Sequence, residues 1–280
     1  MPNSLNKLKR RVFNLWLLDY TLAELREWIG LIVRNKSPLS STLHHVYNWR
    51  SDTLYFDQIL VISLPFRRDR RENIYQQMSH RNISYTFFEA VDGKVLDINQ
   101  LEEDFFSNYA KRYLSSGSIG CALSHIRAWQ QIVVQGWEYC LILEDDVILS
   151  DTFVEDLRVR MPEVPPDFDI LYLGSGLTAP HHIRKFISTH VFEPHYPREG
   201  MYAYVVSAKG AQTLLQNLFP INLANGGIDT MVGKLVRKKK VQAYHLLPVL
   251  CQADLVSPSN IYNPGGKPKV LDSLELKVDE

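Results

Sequence analysis

The sequence has few cysteines, no long apolar run and no excess of charge of either sign. Its three cysteines, Cys121, Cys140 and Cys251, form no CxxC pair, which argues against a disulfide framework or a zinc cluster and favours a reducing compartment. No run approaches the roughly 20 apolar residues of a membrane span. The 31 basic residues balance the 31 acidic ones, so nothing points to a nucleic-acid partner. We therefore expect a cytoplasmic globular protein that recognises anions only locally.

Residues 1–54 differ from the rest and are predicted to form an N-terminal helical arm. Between Leu15 and Ile32, leucine and isoleucine recur every three or four residues, as in an amphipathic helix. In one interpretation the arm packs on the main domain or on a second subunit of a homodimer. In the other, Phe13 and Trp16 make a peripheral contact with the inner face of the cytoplasmic membrane. The apolar patch is too short for a signal peptide, so we expect it to be retained.

From Gln58 onwards, short apolar runs alternate with amphipathic stretches. The runs predicted as strands include 58–64, 84–90, 139–143 and 169–176. A helix is predicted over 118–136, ending at Gly136. This alternation predicts an α/β domain over 55–265, with a mostly parallel sheet flanked by helices, and a loose tail over 266–280.

The segment EYCLILEDDVILS, residues 138–150, places three consecutive carboxylates directly after a buried-looking strand. Ligands of open α/β sheets bind beyond the carboxyl ends of the strands. Adjacent carboxylates raise one another's pKa unless a cation neutralises them. A hard divalent ion, Mn²⁺ or Mg²⁺, could do so and hold a diphosphate. The alternative is that Glu144 and Asp146 are solvated loop acids.

Five segments together resemble one family of enzymes. In order, they are ILVISLPFRRDRRENI, SYTFFEAVDGK, GSIGCALSHIRAW, CLILEDDVIL and GMYAYVVSAKGAQTLL. They are similar to segments of glycosyltransferase family 25, over roughly residues 57–260. The resemblance implies a GT-A-like, Rossmann-like fold, a UDP-sugar donor and inversion at the anomeric carbon. It favours β-1,4 transfer of galactose from UDP-galactose to a lipid-linked oligosaccharide, the lipooligosaccharide or lipopolysaccharide core.

The same resemblance implies roles within the acidic triplet. Asp146 corresponds to the direct metal ligand. Glu144 would contact the metal through water or hold the ribose, and Asp145 would point towards the sugar or the nearby helix. The chain departs from the family pattern in carrying Glu144 in the first acidic place and Pro65 in the loop after the first strand.

The loop from Leu64 to Arg70 is predicted to seat the uridine, and Arg70 matches the arginine of the family. Asp92 and Lys94, after the second strand, are placed to reach the base and ribose; the alternative is that Asp92–Gly93 only forms a turn. The predicted donor contacts are Leu64, Arg67, Arg70, Asp92, Lys94, Gly120, Ser124, Glu144 and Asp145. Close approach of a ligand or of the acidic loop would explain a glycine inside a helix at position 120.

An inverting transfer needs a carboxylate that removes the proton of the acceptor hydroxyl on the side opposite the leaving UDP. Asp229, which follows Gly226 and Gly227, is the predicted base; its alternative role is that of a helix-start acid favoured by the dipole. Asp254 and Glu199 are weaker candidates.

The sequence leaves the roles of three further residues undecided. His125 either has a structural role or fixes the acidic loop by a hydrogen bond. His245 or Gln252 is placed to complete the metal or diphosphate site. Two other functions also fit the acids: binding of a sugar nucleotide without turnover, and metal-assisted phosphoester hydrolysis.

Overall fold

The structure is a computed structural model that describes residues 56–96, 114–174, 182–197, 200–218 and 227–254. Its strands are β1 (Gln58–Ser63), β2 (Thr86–Glu89), β3 (Tyr139–Glu144), β4 (Val147–Leu149), β5 (Ile170–Tyr172), β6 (Ile183–Phe186), β7 (Val191–Pro194), β8 (Ala203–Ser207), β9 (Ala243–Leu246) and β10 (Cys251–Ala253). Its α-helices are α1 (Arg68–His80), α2 (Ser116–Gln135), α3 (Phe153–Arg160), α4 (Ala208–Asn217) and α5 (Gly227–Arg237). The predicted arm, the predicted tail and Glu199 lie outside the described residues.

Eight strands form one sheet in the order β2-β1-β3-β8-β5-β9-β7-β6. The pairs β1–β2, β1–β3 and β5–β9 are parallel, whereas β3–β8, β5–β8, β6–β7 and β7–β9 are antiparallel. The predicted α/β architecture is confirmed, and the directions of the strands are mixed. The antiparallel pairs arise at two places that the alternation did not indicate: β6 and β7 form a hairpin without a crossover helix, and β8 lies between β3 and β5 in the opposite direction.

Strand β3 lies inside the sheet and is buried on both faces. Cys140 and Ile142 pack into the core beneath α2, α4 and α5, while Leu141 and Leu143 pack into the core on the other face. Burial of one such leucine or isoleucine side chain contributes about 1.5–3 kcal/mol. The apolar alternation therefore fixes the register of β3 and carries the acids that follow it to the edge of the sheet.

Helix α2 approaches the segment after β2 very closely, and this contact requires a glycine. A Cβ atom at Gly120 would lie 2.5 Å from the carbonyl oxygen of Val91 and 2.7 Å from the nitrogen of Gly93. Ser124, one turn later, accepts a hydrogen bond from the Val91 nitrogen at 2.8 Å and donates to the Gly120 carbonyl at 2.7 Å. The sequence predicted that a ligand or the acidic loop approaches position 120; in the structure it is the backbone from Val91 to Gly93 that does so.

A small second sheet was not predicted. Strand β10 pairs antiparallel with β4, and just beyond it the Asp254 nitrogen donates to the carbonyl oxygen of Asp146 at 2.7 Å. The chain after β9 thus returns to the acidic turn and fixes its backbone.

None of the helices in the described part of the chain has the length and apolar character that crossing a bilayer requires.

Substitution of Gly120 by alanine is expected to lower the free energy of unfolding by about 1–3 kcal/mol, because the new methyl group displaces the backbone after β2. Urea unfolding would measure the change. Val134 is exposed on the same helix, so Val134→Ala is the matched control and should change stability little. Equal stability of Gly120→Ala and Val134→Ala would contradict the contact.

Candidate functional site

The acidic triplet lies at the carboxyl edge of the sheet beside an open depression. The depression and the open solvent at its mouth together comprise about 700 Å³ of empty space. Its lining includes the predicted site residues Leu64, Arg70, Asp92, Lys94, Ser124, Glu144, Asp145 and Asp146. Gly120, Arg67 and Asp229 are not part of this lining. The structure therefore brings most of the predicted donor contacts together at one place.

Asp145 is held by two buried hydrogen bonds. Its Oδ2 accepts from the Ser63 hydroxyl at 2.8 Å, and its Oδ1 accepts from the Arg70 guanidinium at 2.8 Å. Of the two orientations implied by the family resemblance, the structure shows the one towards the helix, since Arg70 belongs to the first turn of α1. Both oxygens of Asp145 are thus engaged within the protein.

Arg70 pairs with a second carboxylate of the triplet. The nitrogen that contacts Asp145 also lies 3.0 Å from Oδ2 of Asp146, and the arginine is 7% exposed. The sequence predicted that a metal compensates the acids and that Arg70 contacts the donor. In the structure, Arg70 lines the depression and supplies part of the compensating charge, which links the first turn of α1 to the end of β3.

The two carboxylate oxygens of Asp146 differ in their surroundings. Its Oδ1 is buried and finds no hydrogen-bond partner among the described residues. Burial is the main cause that raises the pKa of Asp146 to about 7; the nearby Glu144 adds to the rise, and Arg70 opposes it. A buried, unpartnered carboxylate oxygen at the wall of a depression is suited to bind a hard cation.

Glu144 is hydrogen-bonded through one oxygen. Its Oε1 lies 3.0 Å from Nε2 of His125 and 3.6 Å from the sulfur of Cys121, both on α2. Burial alone would raise the pKa of Glu144, but the hydrogen bond from His125 and the charges nearby hold it below its usual value. His125 therefore fixes the acidic loop, which was one of its two predicted roles. Ligand atoms of Cys121, His125 and Glu144 also lie within 4.8 Å of one another.

The segment after β2 forms the opposite wall. The carboxylate of Asp92 accepts a hydrogen bond from the backbone nitrogen of Lys94 at 2.9 Å and caps a short 3₁₀ turn over Gly93–Val95. Asp92 thus makes the turn that was one of its alternatives, and Lys94 is exposed at the rim. Ser124 lines the depression, but both of its hydrogen bonds go to the backbone.

Two predicted site residues, Arg67 and Asp229, do not line the depression. Arg67 donates two hydrogen bonds to Asp69, at 3.0 and 2.8 Å, and hydrogen bonding to this carboxylate is the main cause that raises the pKa of Arg67. Asp229 lies in the first turn of α5 and is partly buried. Its charge helps to raise the pKa of Cys121, after burial, so it belongs to the same side of the molecule as the depression.

The suggestion that His245 completes a metal or diphosphate site is wrong. His245 is 1% exposed and stacks against Phe192 at 4.8 Å and Tyr172 at 6.0 Å between ring centroids. Burial lowers its pKa to about 4. Its Nδ1 bonds to the carbonyl of Leu246, so this histidine is a core residue. The side chain of Gln252 is on the exposed face of β10.

Three site residues were missed. Ser63 anchors Asp145, Cys121 contacts Glu144, and Phe66 lines the depression with 60% of its surface exposed. A serine that ends an apolar strand and an aromatic residue in a charged loop are signals in the sequence. The contact of Cys121 depends on the packing of α2 and could not be predicted.

The sequence was compared with known proteins. The family model described as glycosyltransferase family 25 (LPS biosynthesis protein) matches residues 56–231. Procollagen galactosyltransferase 1 from Danio rerio is 30% identical over 220 residues, which cover 71% of this chain and 35% of that protein. Procollagen galactosyltransferase 2 from Homo sapiens is 30% identical, over 59% of this chain and 28% of that protein.

A third relative bears a different name. Inactive glycosyltransferase 25 family member 3 from Homo sapiens is 35% identical over 45% of this chain and 23% of its own length. The chain spans about a third or less of the length of these relatives. The crystal structure of A197 from STIV aligns with 11% identity and a TM-score of 0.38 over 70% of this chain and 83% of that one, which is too low to support an inference.

Asp146→Asn is expected to stabilise the protein increasingly as pH rises. The folded-state pKa of about 7 lies above the ordinary value of 3.8, so the aspartate lowers stability as it ionises with rising pH. The advantage of the asparagine variant should grow by about 2 kcal/mol between about pH 5 and about pH 8. Urea unfolding in chelator would measure it. Asp151→Asn, at a fully exposed side chain, is the control; parallel pH profiles of wild type and Asp146→Asn would contradict the prediction.

Proposed function

The chain belongs to glycosyltransferase family 25, and from this premise we propose that it transfers galactose from UDP-galactose to a saccharide acceptor. The finer assignment is an inverting β-1,4 transfer to a lipooligosaccharide or lipopolysaccharide core. Galactose is supported by the names of the relatives, and a lipopolysaccharide acceptor by the description of the family. The single observation that carries the proposal is the unpartnered oxygen of Asp146 beside the depression.

Asp146 and Glu144 are the residues that would hold Mn²⁺ or Mg²⁺. The orphaned oxygen of Asp146 fits a hard cation, and Glu144 has only one oxygen engaged by His125 and Cys121. When bound, a divalent ion supplies positive charge to a diphosphate leaving group. Asp145 does not join this set, because Ser63 and Arg70 occupy both of its oxygens.

Other residues of the depression would seat the nucleotide. Lys94 is exposed at the rim and suits a phosphate group. Leu64 and Phe66 line the side next to α1, and the exposed ring of Phe66 offers a flat surface on which a uracil base can stack. Arg70 contributes charge to the wall while it holds the acids.

The transfer itself requires a base for the acceptor. We assign this role to Asp229: its carboxylate takes the proton of the acceptor hydroxyl as the oxygen of that hydroxyl bonds to the anomeric carbon and the bond to UDP breaks. Its support is its position at the start of α5 and its electrostatic effect on Cys121, which lines the depression. A direct, single displacement of this kind inverts the anomeric centre.

A second candidate is binding of a sugar nucleotide without turnover. It is favoured by a relative named inactive and by the departures at Glu144 and Pro65. Calorimetry would detect donor binding in both cases. Only the enzyme would release UDP when an acceptor is added, so the two candidates are distinguishable.

Purified protein should release UDP from UDP-galactose in the presence of Mn²⁺ and an oligosaccharide core. Asp146→Ala is expected to lower kcat by about 100-fold or more, because a charge-stabilising group is lost from the leaving-group side. Asp151→Ala, at an exposed acid just beyond β4, is the control. A panel of UDP-sugars and acceptors, including a procollagen peptide and a simple phosphoester, would identify the substrates. Normal turnover by Asp146→Ala in chelator would contradict the proposal.

Phe66→Ala tests the place of the nucleobase. We expect it to weaken binding of UDP and UMP by about 10-fold, because stacking on one base contributes about 1–3 kcal/mol, and to leave binding of inorganic pyrophosphate unchanged. Calorimetry with the three ligands measures the difference. Phe186 is equally exposed at the opposite edge of the sheet, so Phe186→Ala should bind all three normally. If Phe66→Ala weakened the binding of pyrophosphate as much as that of UDP, Phe66 would not be the site of the nucleobase.

A further inference from the structure

A buried chain of hydrogen bonds connects the protein core to the acidic loop. The Trp129 indole donates to the Tyr204 hydroxyl at 2.9 Å, and this hydroxyl lies 2.9 Å from Nδ1 of His125. On the other side of the ring, Nε2 lies 3.0 Å from Oε1 of Glu144. Trp129, Tyr204 and His125 are fully buried, so no water replaces a missing partner without cost.

The chemistry of the donors fixes the direction of every bond in this chain. An indole only donates, so the Tyr204 oxygen accepts from Trp129. The hydrogen of the hydroxyl is then left for Nδ1 of His125, which must be the bare, accepting nitrogen. The proton of a neutral ring therefore resides on Nε2, and Nε2 donates to Glu144.

The other arrangements leave a buried group without a partner. With the proton on Nδ1, the hydroxyl hydrogen of Tyr204 has no acceptor within this series of hydrogen bonds. In addition, a bare Nε2 then faces the carboxylate of Glu144. With protons on both nitrogens, the bond to Glu144 forms but the hydroxyl hydrogen again has no acceptor. Only the neutral ring with its proton on Nε2 uses every donor and acceptor.

We propose that Tyr204 is a positioning residue: its hydroxyl donates to Nδ1 of His125 and fixes the ring, so that Nε2–H points at Glu144 and orients its carboxylate at the depression. The effect on ligand binding rests on the proposed function of the site. The tautomer itself does not, because it follows from contacts within the protein alone.

The tautomer also decides between two interpretations of a nearby cluster. Cys121, His125 and Glu144 have the spacing of a metal site. A nitrogen that binds a metal must be unprotonated, whereas here Nε2 carries the proton. The cluster therefore acts as a hydrogen-bonded support for Glu144.

Selective ¹⁵N labelling of histidine and NMR at neutral pH would reveal the tautomer. The chain has nine histidines, so the signals of residue 125 are assigned by their loss in His125→Gln. The wild type should show a neutral ring protonated on Nε2. In Tyr204→Phe, the carboxylate of Glu144 still holds the proton on Nε2, but Nδ1 loses its donor, so the Nδ1 signal should move to that of an accepting nitrogen without a hydrogen bond. A wild-type ring protonated on Nδ1 or on both nitrogens, or an unchanged ring in Tyr204→Phe, would overturn the proposal.

Tyr172 provides a matched control. It is equally buried, but among the described residues its hydroxyl is hydrogen-bonded to the sulfur of Met201, at 3.9 Å. Tyr172→Phe should therefore leave the signals of His125 unchanged. Trp129→Phe keeps the hydroxyl of Tyr204 and should keep both the proton on Nε2 and the hydrogen bond at Nδ1. If Tyr204→Phe fails to fold, the wild-type spectrum still tests the contact, because Nδ1 must appear as a hydrogen-bonded acceptor. A shift of the Nδ1 signal in Tyr172→Phe as large as in Tyr204→Phe would show a general effect of the core and contradict a specific chain.

Binding of Mn²⁺, followed by calorimetry, tests the consequence for the site. Tyr204→Phe is expected to weaken Mn²⁺ binding by about 10-fold, as is usual for residues that orient a metal ligand through a hydrogen bond, while Tyr172→Phe binds normally. Equal affinity of wild type and Tyr204→Phe would refute the positioning role. If the wild type binds no Mn²⁺ and transfers no sugar, the proposed function fails, and the NMR result still decides the tautomer.

Discussion

The acidic loop depends on the pair of contacts that Arg70 makes with Asp145 and Asp146. Like charges next to one another at the end of a buried strand are unfavourable, and a buried carboxylate without a partner loses several kcal/mol of hydration. One guanidinium nitrogen lies within 3.0 Å of both carboxylates. The same contacts join the first turn of α1 to the turn between β3 and β4, so the charge balance of the loop and the position of the helix are one structural feature.

The three acids have the same chemistry in the sequence but different surroundings in the fold. Asp145 has both oxygens occupied, Glu144 has one engaged by α2, and Asp146 has a buried oxygen without a described partner. Asp145 therefore anchors the loop, whereas Glu144 and Asp146 each keep an oxygen that can bind a cation. This difference also explains why the pKa of Glu144 falls and that of Asp146 rises although they are two residues apart. At both residues burial is the largest cause and raises the pKa, but at Glu144 the hydrogen bonds from His125 and Cys121 and the positive charge nearby together outweigh it.

The sequence predicted well what depends on local pattern. The apolar run before Glu144 identified β3, and Gly136 ends α2 in the left-handed conformation as expected. It predicted poorly what depends on contacts between distant segments. Arg70 and Asp145 are 75 residues apart, so their pairing could not be read from either segment. The core position of His245 was missed because the aromatic residues that stack on it, Phe192 and Tyr172, come from other strands.

The antiparallel strand β8 in the middle of the sheet links the fold to the site. A purely parallel sheet would cover the far side of β3 with another strand reached through a crossover, and its residues would run in the opposite order. In this chain β8 places Tyr204 directly opposite Ile142, two residues before Glu144, where its hydroxyl meets α2 between Trp129 and His125. Because Trp129 and His125 are four residues apart, they lie on one face of α2 and reach the same hydroxyl. The mixed direction of the sheet therefore provides the polar contact that a buried histidine needs if it is to support a carboxylate at the edge of the core.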